Sequence, residues 1–454
     1  MSKHIKLRKG YDIKLAGTAK KEIGDVPQPK TFSLKPSSFH GIERPKLLVK
    51  EGDNVKAGTT LLIDKKNERI KHASPVSGEV VEIRRGEKRK LLEIVILADE
   101  NIEYEQFNKY SISEIKNLSR EDVVSELLGS GLWPSIIQRP FGTIADPDET
   151  PKNIFISAFD SNPLAPDYDF ILQGQEQNFQ AGIDVANKLS GGQVHLTIDG
   201  KAEVSKVFSQ PLDVQMHKVS GPHPAGNVGV QIHHIDPINK GDVVWTIDPV
   251  SIAHIGKLFL EGVSDSQKIV AVAGPCVKEP KYYKTYRGAS VSSFLADNIT
   301  EENHRVVSGN VLTGERIDDK GHMRHFDNMV TVIEEGDKPA AFGWLLPQFN
   351  KPSFHRALGL MSFLTPNKEF SVNTNTNGEP RAFVQTGAFE KVLPMDILPT
   401  YLIKAILAED FDEIEALGIY EVIEEDLAIC EFIDVSKHDI QEILREGLDL
   451  LNYS

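Results

Sequence analysis

Between Leu47 and Ile96, apolar residues recur in short period-two runs separated by glycines. Val49 to Ala57 alternates around the Glu51-Gly52-Asp53 turn, Leu61 to Ile63 is a brief apolar run, and Val80-Val81-Glu82-Ile83 follows the Ala73–Gly78 turn. Such runs, bounded by glycine where positive φ is needed, predict short strands closing into a small flattened barrel. A charged tip, Arg84-Arg85-Gly86-Glu87-Lys88, precedes the last strand, Leu91–Leu97. Residues 1–46 are strand-like and interrupted by prolines; they are expected to complete this unit, bounded at 1–101.

From Arg120 the period changes to that of a helix, with Val123, Val124, Leu127 and Leu128 on one face and Gly129 and Gly131 ending it. Lys152–Asp160 reads as a buried strand, Gln175–Leu189 as a helix and Val194–Ile198 as a second strand. This order predicts a Rossmann-like βαβ unit with parallel strands and a right-handed crossover. No G-x-G-x-x-G follows its first strand, so a dinucleotide site of the usual type is not supported. Trp245–Ile247 and Ser251–Leu260 add a strand and a helix, bounding this unit at 102–264. Lys268–Ala273, Gly288–Ala296 and Arg305–Gly314 read as strand, helix start and strand, which fits a β-grasp module over 265–330. Met329–Glu334 and Ala340–Leu346 are further strand candidates. Lys351–Leu364 is amphipathic, with Phe354, Leu358, Met361 and Leu364 at helical spacing. An apolar stripe at Leu398–Leu407, with Asp410–Leu417, Glu424–Phe432 and Asp439–Leu451 each following a capping residue or a turn, predicts an acidic short-helix bundle within 331–454. The fold class is multidomain, mixed α+β and α/β.

Length and composition agree: 454 residues, 40% hydrophobic and 26% charged, suffice for three or four soluble domains. The net charge of −15 argues against nucleic acid as a main partner. By position, residues 1–100 carry 22 basic against 14 acidic side chains and residues 395–454 carry 3 against 16. Each end is either a solvated surface or a docking face, the basic one toward anionic lipid or an acidic neighbour in an assembly. The opening residues carry charge rather than a signal segment, and no apolar run reaches the ~18–20 residues of a membrane span. Two distant cysteines, Cys276 and Cys430, exclude a disulfide framework or zinc knuckle.

The densest local chemistry lies at 216–234, where His217, His223, His233 and His234 fall within eighteen positions. A metal site needs three converging ligands, but His233 and His234, read as a strand, point to opposite faces. Metal binding, a contact to a ligand or another protein, and a structural turn at Gly221-Pro-His-Pro-Ala-Gly226 remain the three readings.

The order V-x-x-G-D-x-V-x-x-G-x-x-L, then S-P-V-S-G-x-V, resembles the lipoyl/biotinyl carrier domain, a barrel-sandwich hybrid. A carrier's lysine would stand eight residues before Pro75, at Asn67; Lys65 and Lys66 come early and lack a carrier context, so the resemblance implies the fold rather than the modification. Along the whole chain, further strings resemble one family: Gly131-Leu-Trp133 with Arg139-Pro-Phe141, Asp160-Ser-Asn-Pro-Leu-Ala165, Ser220–Gly226, Ile255-Gly-Lys-Leu-Phe259, Met395–Thr400 and Glu425-Asp-Leu-Ala428. These are similar to the NqrA subunits of bacterial Na+-translocating NADH:quinone reductases. More distantly, the architecture resembles the RnfC protein of the Rnf complex and the NADH/FMN-binding subunit of respiratory complex I, with the third module SLBB-like.

The resemblance implies a peripheral subunit on the cytoplasmic side of the bacterial inner membrane, within a six-subunit complex that oxidises NADH, reduces ubiquinone and exports Na+, docked chiefly on a membrane subunit. It also implies that this chain holds no cofactor. Leu132–Phe141 replaces the flavin relatives' glycine-rich loop with bulky residues and prolines that cannot lay amides along a phosphate. At the thiolate positions of the Rnf relative's two iron–sulfur runs stand Phe383, Thr386, Phe389 and Leu393, then Asp426, Ile429, Phe432 and Ser436. Trp133, Arg139, Phe141 and His223 are the candidate quinone contacts, with aromatic walls for the ring and Arg139 or His223 for a carbonyl. The competing reading is that Trp133 and Phe141 fill the space a flavin would occupy. The alternatives to quinone binding are a purely structural adaptor and a carrier acting through Lys65 or Lys66.

Overall fold

The computed structural model describes residues 2–42, 44–337, 351–355, 365, 367–384 and 386–452. The barrel forms from a four-stranded sheet (Thr31–Leu34, Leu91–Ala98, Gly78–Arg85, Asn54–Val55) facing a three-stranded one (Pro45–Leu47, Thr60–Asp64, Lys71–Ala73). Alternation buries Leu34, Leu62, Val80, Ile94 and Ile96 inside, as a half-buried strand demands. Gly78 is obligatory, because a Cβ there would lie 2.0 Å from the Leu97 carbonyl oxygen. Lys65 and Lys66 are exposed on the turn after Thr60–Asp64.

The first 46 residues do not simply complete this barrel. His4–Lys6 pairs in parallel with Gln215–Ser220, at the edge of the α/β sheet. Lys20–Ile23 pairs with Lys281–Tyr286, in the sheet of the third module. Only Thr31–Leu34 and Pro45–Leu47 join the barrel. Period-two patterning specifies a strand but not its partner, which here lies some two hundred residues away.

The α/β sheet runs His4–Lys6, Gln215–Ser220, Val194–Asp199, Ile154–Ser157, Val244–Thr246, Ile137–Arg139, Thr143–Ile144; the first five pair in parallel, and Ile137–Arg139 is antiparallel to both of its neighbours. The Arg120–Ser130 helix begins at a Ser119–Asp122 capping box and stops at left-handed Gly131. On the sheet, the Glu176–Leu189 and Pro249–Glu261 helices cross so closely that a Cβ on Gly256 would sit 1.8 Å from the Asn178 carbonyl oxygen. The third module is a six-stranded mixed sheet in which Gln267–Ala273 is central. Its core and the barrel's form one apolar cluster through Phe32, Val272, Ala289 and Val330.

Among the described residues, the C-terminal helices Phe389–Val392, Pro399–Leu407, Phe411–Ala416, Glu424–Ile433 and Ile440–Asn452 bury Leu402, Ile403, Leu427, Ile429 and Leu444. The strand expected at 340–346 and most of the amphipathic segment 351–364 fall outside the described residues. Among the described residues, no helix is long and apolar enough to cross a membrane.

Candidate functional site

A cleft of about 640 Å³ opens at the carboxyl ends of the Ile154–Ser157 and Val244–Thr246 strands, where open α/β sheets place their ligands. The third module and the C-terminal helices form its other walls through Phe326, Asp327, Ile423 and Glu425. Ile137, Phe159, Val228, Ile247, Phe326 and Ile423 supply apolar surface.

The cleft's guanidinium groups are already matched. Arg139, 1% exposed, donates from Nη1 to Asp426 Oδ2 at 2.8 Å and from Nη2 to Glu425 Oε1 at 2.6 Å. Arg445 donates from Nη2 to Glu424 Oε2 at 2.6 Å and from Nη1 to the Phe141 carbonyl oxygen at 2.8 Å. Arg324 makes a two-point contact with Asp327 at 2.8 and 2.9 Å.

Carboxylates also stand at the helix N-termini facing the cleft. Asp248 caps the Pro249–Glu261 helix, accepting from Val250 N and Ser251 N at 3.0 Å each. Asp426 lies against the first turn of the Val228–Ile235 helix, where a Cβ on Gly229 would fall 2.3 Å from Asp426 Oδ2 and 2.5 Å from Arg139 Nη1. That carboxylate sets negative charge beside the positive end of the helix, while its Oδ2 accepts from the Ile423 amide of its own helix at 3.1 Å. Asp426 is one of the positions that the resemblance set against a cluster thiolate; in the structure it holds an arginine instead.

Two carboxyls in the cleft are displaced from their usual range. Burial pushes Glu425 up to about 7, with Arg139 pulling it down and Asp426 and Glu424 pushing it further. Its side chain nevertheless keeps 41% of its surface open, toward the cleft it lines. Burial also raises Asp160, against the pull of Asn162, whose backbone N and Nδ2 both donate to Asp160 Oδ1 at 2.8 Å.

The four candidate residues do not converge. Arg139 lines the cleft. Trp133 is fully buried in the core, with Nε1 donating to the Ala145 carbonyl oxygen at 2.8 Å and its ring edge-to-face with Trp245 at 5.6 Å. Phe141 (φ 80°) turns its ring toward Tyr420, centroids 6.2 Å apart. His223 is 1% exposed, and its Nδ1 lies 3.1 Å from Ser161 Oγ. Burial pushes its ring down to about 4, so it is neutral. Only the end of its loop, Gly226 and Asn227, reaches the cleft. The Leu132–Phe141 loop is wound into a 3-10 turn at Trp133–Ser135, its Ser135 and Ile136 amides bonded to Leu132 and Trp133 carbonyls.

The histidine-rich stretch also resolves into separate partnerships. His233 and His234 lie on the Val228–Ile235 helix, not on a strand, so the opposite-face expectation is corrected. The run Val228-Gly-Val-Gln-Ile is β-branched and short, and local patterning does not separate the two states for such a run. His233 Nδ1 meets Glu421 Oε2 at 2.7 Å, His234 Nε2 donates to the Pro394 carbonyl oxygen at 2.8 Å, and His217 Nε2 lies 3.0 Å from His195 Nδ1. Among the described residues, no three His, Cys, Asp or Glu side chains are grouped to hold a metal.

Sequence reasoning did not single out Glu425, Asp426, Arg445, Phe159 or Phe326. Asp160 and the Glu425–Asp426 pair did lie inside strings that carried the resemblance, which was the available signal.

A barrel-sandwich hybrid, an open α/β sheet, a β-grasp sheet and a helical cap around one ligand-sized cleft define the class. Three family profiles match in chain order: the NqrA N-terminal barrel-sandwich hybrid domain at residues 5–99, the NqrA second alpha/beta domain at 118–264 and the NQRA C-terminal domain at 269–319. The NqrA protein of the Na(+)-translocating NADH-quinone reductase from Serratia proteamaculans is 39% identical over 448 residues, 98% of each chain. Those of Neisseria meningitidis serogroup B and a Marinomonas species are 37% and 38% identical, covering 98% of this chain and 99% of theirs. The chain belongs to the NqrA family of the Na(+)-translocating NADH-quinone reductase. Among solved structures, an air-oxidized NAD+-reducing [NiFe]-hydrogenase superposes over 76% of this chain and 68% of its own, with TM-score 0.38 and 11% identity. That overlap is too loose to define a common fold.

Proposed function

We propose that the chain is the peripheral subunit of a Na+-translocating NADH:quinone reductase on the cytoplasmic face of the membrane, holds no redox group of its own, and offers its interdomain cleft to the quinone ring. The observation that supports this reading is charge pairing. Arg139, Arg324 and Arg445 are each paired with carboxylates, Asp248 caps one helix N-terminus, and Asp426 sets its negative charge beside another. A cleft matched in this way offers little to a phosphate and suits a neutral ring with carbonyl oxygens between apolar walls.

The test is Val228→Trp, which fills the cleft from its apolar wall, in the reassembled complex. The expected result is a several-fold rise in KM for a short-chain ubiquinone, with NADH oxidation by an artificial acceptor unchanged; an unchanged KM refutes quinone binding here. The adaptor reading is favoured by Leu398, Tyr401, Leu407 and Phe411, exposed on the C-terminal helices, and predicts an unchanged KM. A visible absorption spectrum of the purified chain should show no flavin or cluster band, and its intact mass no adduct on Lys65 or Lys66.

A further inference from the structure

Behind the cleft wall formed by Ser135, Pro249 and Phe326 lies a buried arginine with an unusual set of partners. Arg287 is 2% exposed and, among the described residues, meets no carboxylate within ion-pair distance. Instead it donates from Nη2 to Ser251 Oγ at 2.7 Å and His254 Nδ1 at 3.1 Å, and from Nη1 to His325 Nε2 at 3.0 Å and Ser135 Oγ at 3.4 Å. Its guanidinium carbon stands 5.3 Å from the centroid of the Phe326 ring.

These partners are held as acceptors. His254 spends its Nε2 hydrogen on the Gln267 carbonyl oxygen at 2.8 Å, which leaves Nδ1 as the acceptor facing Arg287. Burial and the arginine's charge keep both imidazoles neutral, pushing His254 down to about 4 and His325 well below its ordinary value. A second buried basic side chain, Lys268, donates to the His325 and Asp327 carbonyl oxygens rather than to an acid, and burial beside Arg287 pushes its amine down to about 7. A buried charge compensated only by neutral acceptors is costly, which distinguishes this arginine from the three paired ones in the cleft itself.

The consequence falls on Ser135. Its hydroxyl oxygen accepts from Arg287, so its own hydrogen must point elsewhere. Among the described residues that hydrogen meets no acceptor, while Ser135 lines the cleft. We propose that Ser135 donates a hydrogen bond to an acceptor oxygen of the ring ligand in the cleft, and that Arg287 is the positioning residue that aims its hydroxyl. This assignment rests on the quinone reading above and deepens it: the class of ligand selected is a ring bearing a carbonyl oxygen, favoured over the same ring with that oxygen alkylated.

Isothermal titration of the full chain with a short-chain ubiquinone, and with the dimethyl ether of its hydroquinone, tests both steps. Ser135→Ala should weaken quinone binding up to about tenfold, the scale of one neutral hydrogen bond, and leave ether binding unchanged. Ser135→Thr, which keeps the hydroxyl, should stay close to the unaltered chain. Arg287→Gln should show the same selective loss, and combining it with Ser135→Ala should add nothing, because both changes remove one interaction. Should Arg287→Gln fail to fold, Arg287→Lys serves instead, since it keeps the charge without the planar fork. No quinone binding by the unaltered chain overturns the quinone reading itself. Quinone binding untouched by Ser135→Ala overturns this assignment alone, and additive effects of the two substitutions overturn the positioning role of Arg287.

Discussion

Asp426→Ala tests what holds the helical cap to the α/β sheet. The substitution removes a fully buried carboxylate 2.8 Å from Arg139 Nη1, leaving a guanidinium that is itself 1% exposed. Breaking a buried pair from one side typically costs ~3–5 kcal/mol because the surviving charge stays desolvated. Glu425 remains within 2.6 Å, yet its side chain is 41% open, so its compensation is screened and the lower end, about 3 kcal/mol, is expected. Arg139→Met with Asp426→Leu replaces the pair by apolar side chains of similar size and should recover stability to within ~1 kcal/mol of the unaltered chain. Urea unfolding read by tryptophan emission and by far-ultraviolet circular dichroism measures this; both probes are needed because a chain of several modules need not unfold in one step. Hydrogen exchange in the Val228–Ile235 and Glu424–Ile433 helices localises the effect. A single-substitution cost below ~1 kcal/mol, or a double variant as unstable as the single, would refute the reasoning.

Two further outcomes are expected. Gly256→Ala places a methyl 1.8 Å from the Asn178 carbonyl oxygen and 2.7 Å from Gly182 N, so the two helices must separate; thermal unfolding should register a loss of about 3 kcal/mol or no folding at all. His72, 1% exposed with neither ring nitrogen bonded among the described residues, is pushed down by burial to about 3 from an ordinary 6.5. Between those values the unfolded chain binds a proton that the folded chain refuses, so stability falls as pH drops through that window. His72 contributes about 1.4 kcal/mol per pH unit to that slope, and His72→Leu should make a plot of unfolding free energy against pH less steep by that amount.

Much of the local structure was legible in the residue pattern. The Arg120–Ser130 and Glu176–Leu189 helices and the Gln267–Ala273 strand declare themselves through period, caps and glycine stops, which act within a few residues. What escaped is set over long distances. Nothing near Lys20–Ile23 announces a partner at Lys281–Tyr286, and nothing near Arg139 announces an acid 287 positions away. The candidate site suffered for the same reason. Trp133 and Arg139 are close in sequence, but the 3-10 turn at Trp133–Ser135 and the strand Ile137–Arg139 send one into the core and the other to the cleft. Ser135, between them, carried no motif signal, because its significance depends on a buried arginine from another module.

The strands of the first two dozen residues also bear on the order in which the chain is made. His4–Lys6 is made 214 positions ahead of its register partner at Lys218. At ~5–20 residues per second that is on the order of ten to forty seconds of synthesis. Lys20–Ile23 waits longer still, for Lys281–Tyr286. Throughout that interval both segments are strands without neighbours, available to a wrong edge or to a chaperone. The barrel's own strands are complete by Leu91–Ala98 and can close meanwhile. These two strands are therefore secured only once distant modules have been made, and a nascent chain halted after the α/β module would expose Lys20–Ile23.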